Sequence, residues 1–273
     1  MPKGLSLHIG LNAVDPAAYD GWSGPLASCE ADMEIMEAIC RDQGFVTSRL
    51  ATRDATIDAV LSGVRQAAAT LGAGDTFVLT FAGHGGSYPD LEGDDRDGKD
   101  ETWCLYDGQI LDDELNTLWF RFAAGVRVLV VSDSCHSGTI LFKVITRKLS
   151  GWLAAQPPLV SRLMPATVRD ALTSTVKARR AATPHVTAGA MPACCVILLS
   201  ACSDRQEAWG DQYSGLFTRA LNDTWNTPRR QKHYYDWVHQ VLRPRLKRQT
   251  PGYMLWGATD RPFIEGPVFS LQA

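Results

Sequence analysis

The chain has 273 residues, with 27 Lys and Arg against 30 Asp and Glu, giving a formal charge of −3 at pH 7. That length suits one large domain or two small ones, and a composition 45% hydrophobic and 21% charged excludes a wholly disordered chain. No uncharged apolar run reaches the roughly 18 residues a membrane span needs, and Met1 to Gly10 is too short and mixed for a secretion signal. Seven cysteines, an odd number without a C-x-x-C pair, suggest neither a zinc knuckle nor a disulfide framework, so a reducing, cytoplasmic setting is expected.

Short apolar runs rich in β-branched residues at Leu5–Ile9, Thr76–Phe81, Val126–Val131 and Cys195–Leu199 read as buried strands. Helical patterns cover about Leu26–Gln43 and Ala55–Leu71, with Gly44 and Gly72 as stops, and Asp112–Phe122, whose acidic start complements the helix dipole. Near-continuous apolar strands alternating with helices predict an α/β fold with a mostly parallel sheet covered on both faces. Proline and basic residues break that rhythm from Lys143 to Pro192, although Val160–Ala178 has some helical character. Helix-like segments around Leu216–Trp225 and His233–Leu242 follow, then a tail punctuated by Gly and Pro.

The small net charge hides two opposed segments. Ser87–Asn116 holds eleven acidic and two basic residues, a net of −9, while Lys143–Pro192 holds eight basic residues and one acid, a net of +7.

Chemistry concentrates at two glycine-flanked sites. Phe81-Ala82-Gly83-His84-Gly85 places a histidine just past one strand, and Asp133-Ser134-Cys135-His136-Ser137-Gly138 places a cysteine just past the next, 51 residues later. Ligands of open parallel sheets bind beyond the carboxyl ends of the strands, so neighbouring strands would bring the two side chains together. An imidazole beside a thiol raises its reactivity, and flanking glycines free backbone N–H groups for a developing oxyanion. A lone cysteine after a strand is more often core; the paired placement carries the reading. Asp133 lies two residues before Cys135 and projects to the same face of an extended strand end. An acid there disfavours a thiolate unless a cation occupies it, so Asp133 reads as the floor of a pocket for a basic side chain.

These motifs resemble the caspase-fold cysteine peptidases of the metacaspase and orthocaspase type. Ser200-Ala201-Cys202-Ser203-Asp204 resembles the start of their small subunit, and Gly215-Leu216-Phe217-Thr218 its following helix. The resemblance implies a caspase-like three-layer sandwich: a large-subunit half over residues 1–142, a basic linker over 143–192 and a small-subunit half over 193–273. It makes Cys135 the nucleophile, His84 the general acid and base, and the Gly85 and Cys135 amides the oxyanion hole. It places Cys29, Asp32, Asp133 and Asp204 in the pocket for an Arg or Lys before the cleaved bond. Taken alone, Asp32 would be an acid of a first helical turn, three residues from Cys29 and on the same face. Ala82 departs from the family, which often has serine there.

Family members often need calcium, and the residues resembling those ligands are Asp97, Asp100, Asp112 and Asp113. A further family aspartate falls where this chain has Phe142, and the acidic loop does not fit an EF-hand, whose position twelve would be Cys104. A solvated acidic loop, with Asp112 capping a helix, is the simpler reading of the same residues. Self-cleavage is expected in the basic linker, with Arg179 or Arg180 favoured because small residues flank them. The basic stretch from Arg229 to Arg248, interleaved with aromatics, reads as one face of a helix rather than a nucleic-acid site. The expected function is thus endopeptidase cleavage of proteins after Arg or Lys. A catalytically quiet caspase-like interaction module is the alternative, and any activating partner protein would be encoded elsewhere.

Overall fold

The computed structural model describes residues 2–89, 99–135, 158–183, 186, 190–203, 206–225 and 233–271. In chain order come β1 (Gly4–Gly10), α1 (Cys29–Asp42), β2 (Val46–Ala51), α2 (Ile57–Thr70), β3 (Thr76–Ala82), β4 (Gly85–Pro89), β5 (Lys99–Leu105), β6 (Gly108–Leu111) and α3 (Asp112–Trp119). Next are β7 (Arg127–Asp133), β8 (Val160–Ser161), α4 (Ala166–Ala182), β9 (Cys195–Ser200), β10 (Trp209–Gly210) and α5 (Leu216–Trp225). Last are α6 (Tyr234–Asp236), which continues as a π-helix over Trp237–Leu242, then β11 (Gly252–Gly257) and α7 (Arg261–Glu265).

Six strands form the central sheet in the order β11-β9-β7-β3-β1-β2. All neighbours pair in parallel except β11, which runs antiparallel to β9. Alternation along the strands divides the core. Val78, Leu129, Val131, Ile197 and Leu199 face α1, α5 and the Tyr234–Leu242 helix, whereas Phe77, Leu79, Val128 and Val130 face α2 and α3. Burying each such side chain stabilises by about 1.5–3 kcal/mol, so β3 and β7 are fixed in register from both sides. The result is the expected α/β three-layer sandwich, and strands from both ends of the chain share its central sheet, beside a three-stranded sheet β4-β5-β6 and the β10-β8 pair.

The edges were the less legible strands. β2 is a half-exposed edge without an apolar run, and β11 carries two exposed hydrophobics, Met254 and Leu255, within the segment that reads as a tail. The first helix starts at Cys29, three residues later than its apolar pattern suggests, because its cap comes from elsewhere. The Asn12 side-chain oxygen accepts from the Cys29 and Glu30 amides at 2.8 and 3.3 Å. That leaves the Ser28 side chain free of capping and turned to the site described next. No helix among the described residues is long and apolar enough to cross a membrane.

Candidate active site

β3 and β7 are adjacent, and their register ends with Ala82 opposite Asp133. His84 and Cys135 therefore leave the sheet side by side at its carboxyl edge. The Cys104 amide bonds the His84 carbonyl at 2.9 Å, and Trp22 lies over the imidazole with ring centres 4.7 Å apart. His84 is 5% exposed, and among the described residues no side chain hydrogen-bonds either ring nitrogen. Burial lowers its pKa to about 4, against an opposing pull from the Arg162 and Gly24 backbone. Cys135 is fully buried, and burial pushes its thiol well above the ordinary range. Its sulfur turns to Ala208, accepting from that amide at 3.0 Å and lying 3.5 Å from that carbonyl. Both groups are thus neutral in this state, and they are not hydrogen-bonded to each other.

The cleft beyond them is filled by the chain itself. β8 pairs antiparallel with β10, Ser161 opposite Trp209, and the Arg162 amide donates to the Ala208 carbonyl at 3.0 Å. The Arg162 carbonyl accepts from the Gly85 amide at 2.9 Å, and the Met164 amide donates to the Gly85 carbonyl at 2.9 Å. Residues 160–164 thus lie extended between Gly85 and β10, with the Ser161 hydroxyl 4.0 Å from the Cys135 sulfur.

The Arg162 side chain, 1% exposed, enters a pocket made by segments distant in sequence. One guanidinium nitrogen meets the Asp133 carbonyl at 2.7 Å and its carboxylate at 3.1 Å. The other pairs with the Asp32 carboxylate and lies 3.5 Å from the Ser28 hydroxyl. Both carboxylates are held by further donors. Asp32 accepts from the Ser214 hydroxyl at 2.6 Å and from the Gly215 amide, and Asp133 accepts from the Thr218 hydroxyl and amide at 2.7 and 3.1 Å. A β-carbon on Gly215 would stand 2.2 Å from the Asp133 carboxylate and 2.7 Å from the guanidinium, so the pocket requires glycine there.

Burial raises the Asp133 pKa and the nearby Asp32 adds to it, while Arg162 and Thr218 oppose. Burial also works against the Arg162 cation, but Asp133 and Asp32 outweigh it and hold the guanidinium charged. Each carboxylate therefore relies on a cation between them. Cys29 is fully buried beside them, its thiol pushed up to about 12 by burial, and contributes a neutral wall. Asp204 lies outside the described residues.

Arg179 and Arg180, favoured on sequence as cleavage sites, are placed within α4 rather than in an extended segment. Arg179 pairs with Glu114 at 2.7 Å and the buried Arg180 with Asp113. Asp113 is one of the carboxylates of the expected calcium site; with Asp112 it begins α3. Asp97 lies outside the described residues, as does the side chain of Asp100. Among the described residues no three His, Cys, Asp or Glu side chains group to hold an ion. With α4 docked, the Arg180 guanidinium gives Asp113 a cationic partner from within the chain.

Sequence reading passed over Ser214 as a pocket residue, met Gly215 and Thr218 only as the start of a helix, and did not single out Arg162 among the linker's basic residues. The local signal of Arg162 is modest: it lies in the mixed run Val160-Ser161-Arg162-Leu163-Met164, followed by Pro165.

A three-layer sandwich that delivers a histidine and a cysteine from adjacent parallel strands to a doubly acidic pocket defines a caspase-type domain. The family model described as Caspase domain (peptidase C14) matches residues 11–262, and the chain belongs to that family. Metacaspase-1B of Aspergillus fumigatus is 47% identical over 72 residues, covering 24% of this chain and 18% of that protein. Metacaspase-1A of the same fungus is 33% identical over 155 residues, covering 51% of this chain and 36% of that one. The chain thus spans well under half the length of these curated relatives. The crystal structure of protein GSU0716 from Geobacter sulfurreducens matches over the full length of both chains, with 39% identity and a TM-score of 0.84.

Proposed function

We propose that the protein is a cysteine endopeptidase that cuts after Arg or Lys and is held latent by its own linker, which it cuts between Arg162 and Leu163. The observation that carries this reading is the seating of Arg162. Its guanidinium lies between Asp32 and Asp133 while its carbonyl accepts from the Gly85 amide.

In the reaction, Cys135 gives its proton to His84 and its sulfur attacks the carbonyl carbon of the basic residue. The Gly85 amide stabilises the charge on the oxygen. The C–N bond then breaks as His84 passes the proton to the leaving amine, leaving a thioester on Cys135. Water, deprotonated by His84, attacks the thioester and releases the new carboxylate and the thiol. Before the first step the sulfur must swing from Ala208 toward His84.

The two carboxylates support a basic residue before the cut and disfavour an acidic one, which would add a third negative charge to a buried site. For calcium, the resemblance supplies the expectation, and Asp112 and Asp113 would hold the ion only after Arg180 withdraws. Seven free, buried cysteines fit a reducing, cytoplasmic setting.

A fluorogenic panel with Arg, Lys, Asp or Asn before the scissile bond tests the reading, with Cys135→Ala as control. Cleavage of the Arg and Lys substrates alone, abolished in Cys135→Ala, is expected. Strong Asp cleavage overturns the specificity. No cleavage in any arm, with Cys135 unlabelled by an Arg chloromethylketone, favours an interaction module.

A further inference from the structure

Beyond the basic-residue pocket, we infer that the site has a second specificity pocket, for an apolar side chain two residues after the cut, formed around Gly86 and Cys104. This inference rests on the peptidase reading above. If Arg162 precedes the scissile bond, Met164 is the second residue after it. Gly85 grips both positions, donating to the Arg162 carbonyl and accepting from the Met164 amide, each at 2.9 Å. Such a grip fixes the backbone direction on both sides of the bond and aims the Met164 side chain down from the cleft.

That side chain is 3% exposed. Its sulfur lies 4.0 Å from the Cys104 sulfur, and it clusters with Val14, Tyr88 and Leu111. Its terminal methyl rests where Gly86 has no side chain: a β-carbon on Gly86 would lie 2.8 Å from it. Beneath Gly86 the polar groups are already satisfied by one another. Thr102 donates to Gln109 at 2.7 Å and Gln109 to the Tyr88 hydroxyl at 2.8 Å, all buried. Among the described residues, the polar groups of the pocket floor are thus engaged with one another, and a charged side chain would be desolvated there without an ionic partner. Shape and chemistry select Met or Leu. Flexible Met suits an irregular apolar slot in particular.

The test uses self-processed protein and peptides carrying Arg before the cut, with Met, Leu, Gly, Asp or Lys two residues after it. A coumarin amide of Arg, which has nothing at that position, is run alongside. Met and Leu peptides should exceed the Gly peptide in kcat/KM by about tenfold or more, with Asp and Lys lowest. In Gly86→Val the Met-over-Gly ratio should fall toward one in whatever turnover remains. A flat peptide series with the coumarin amide still cleaved overturns the pocket and leaves the peptidase reading standing. If neither peptides nor the coumarin amide are cleaved, both fall.

Discussion

The carbonyl oxygen of Arg162 accepts a hydrogen bond from the Gly85 amide at 2.9 Å, while the same residue's guanidinium bridges Asp32 and Asp133. A substrate residue caught at the start of cleavage would make these two contacts together. Under the proposed function, residues 160–164 both plug the cleft and present the first bond to be cut.

Removing the plug's charge should destabilise the fold. Arg162→Ala leaves two buried carboxylates with no cation between them, and breaking a buried pair of this kind costs about 3–5 kcal/mol. Denaturant unfolding of Arg162→Ala in a Cys135→Ala background should show that loss. Millimolar benzamidine, a planar amidine that fits between the carboxylates, should recover part of it. An unchanged midpoint would mean that the pocket does not depend on its cation.

The donors behind the carboxylates should matter for substrate binding. Thr218→Val removes the hydroxyl that holds Asp133, a hydrogen bond to a charged group worth about 1.5–3 kcal/mol. Arg-peptide KM should rise about tenfold or more with kcat less affected. Asp32→Asn should cost more, and Gly215→Ala should abolish Arg cleavage because its β-carbon fills the guanidinium site. Normal KM values in Thr218→Val and Asp32→Asn would remove these residues from the pocket's function.

Acid should weaken the fold through a histidine outside the active site. His8 is fully buried in β1, bonded to Thr80 and Ser6 at 2.9 and 2.8 Å, and burial lowers its pKa to about 4. Because its unfolded value is about 6.5, the unfolded chain takes the proton first as pH falls. Its contribution is complete above pH 6.5 and is lost between about 6.5 and 4, amounting to about 3 kcal/mol. Glu37 and Asp75, whose pKa values are lowered, lose their contributions only below the ordinary carboxylate range. Unfolding at pH 7, 6, 5 and 4.5 should show this slope together with a like one from His84, whose pKa burial also lowers to about 4, and His8→Gln should reduce the combined slope by about half. An equal slope in both proteins would contradict the assignment.

Calcium and Arg180 should compete for Asp113. Arg180→Gln removes the guanidinium from that carboxylate, so calorimetric calcium affinity should rise about tenfold, or about 1.4 kcal/mol. Calcium uptake that ignores this substitution would place the ion elsewhere.

The parts of this protein that were legible in its sequence are those whose environment is the same on every side. β3 and β7 are buried on both faces, so their composition alone marks them, and the placement of His84 and Cys135 follows from where those strands stop. β2 and β11 are edges with half-exposed faces, and their sequences carry little pattern. The pocket was least legible because it is assembled from long-range contacts. Asp32 lies 130 residues from Arg162 and 182 from Ser214. Local sequence cannot tell which of the linker's arginines has its partners there. Arg179 and Arg180 look exposed by their small neighbours, yet α3 offers them acids and a helix forms around them.

The most direct test is the intact mass and new N-terminus of freshly purified wild-type protein compared with Cys135→Ala. The account predicts fragments ending at Arg162 and beginning at Leu163 in the wild type, and a single uncut chain in Cys135→Ala. A wild-type chain that stays whole while cutting Arg peptides, or a first cut after Arg179 or Arg180 with Arg162–Leu163 intact, would contradict it.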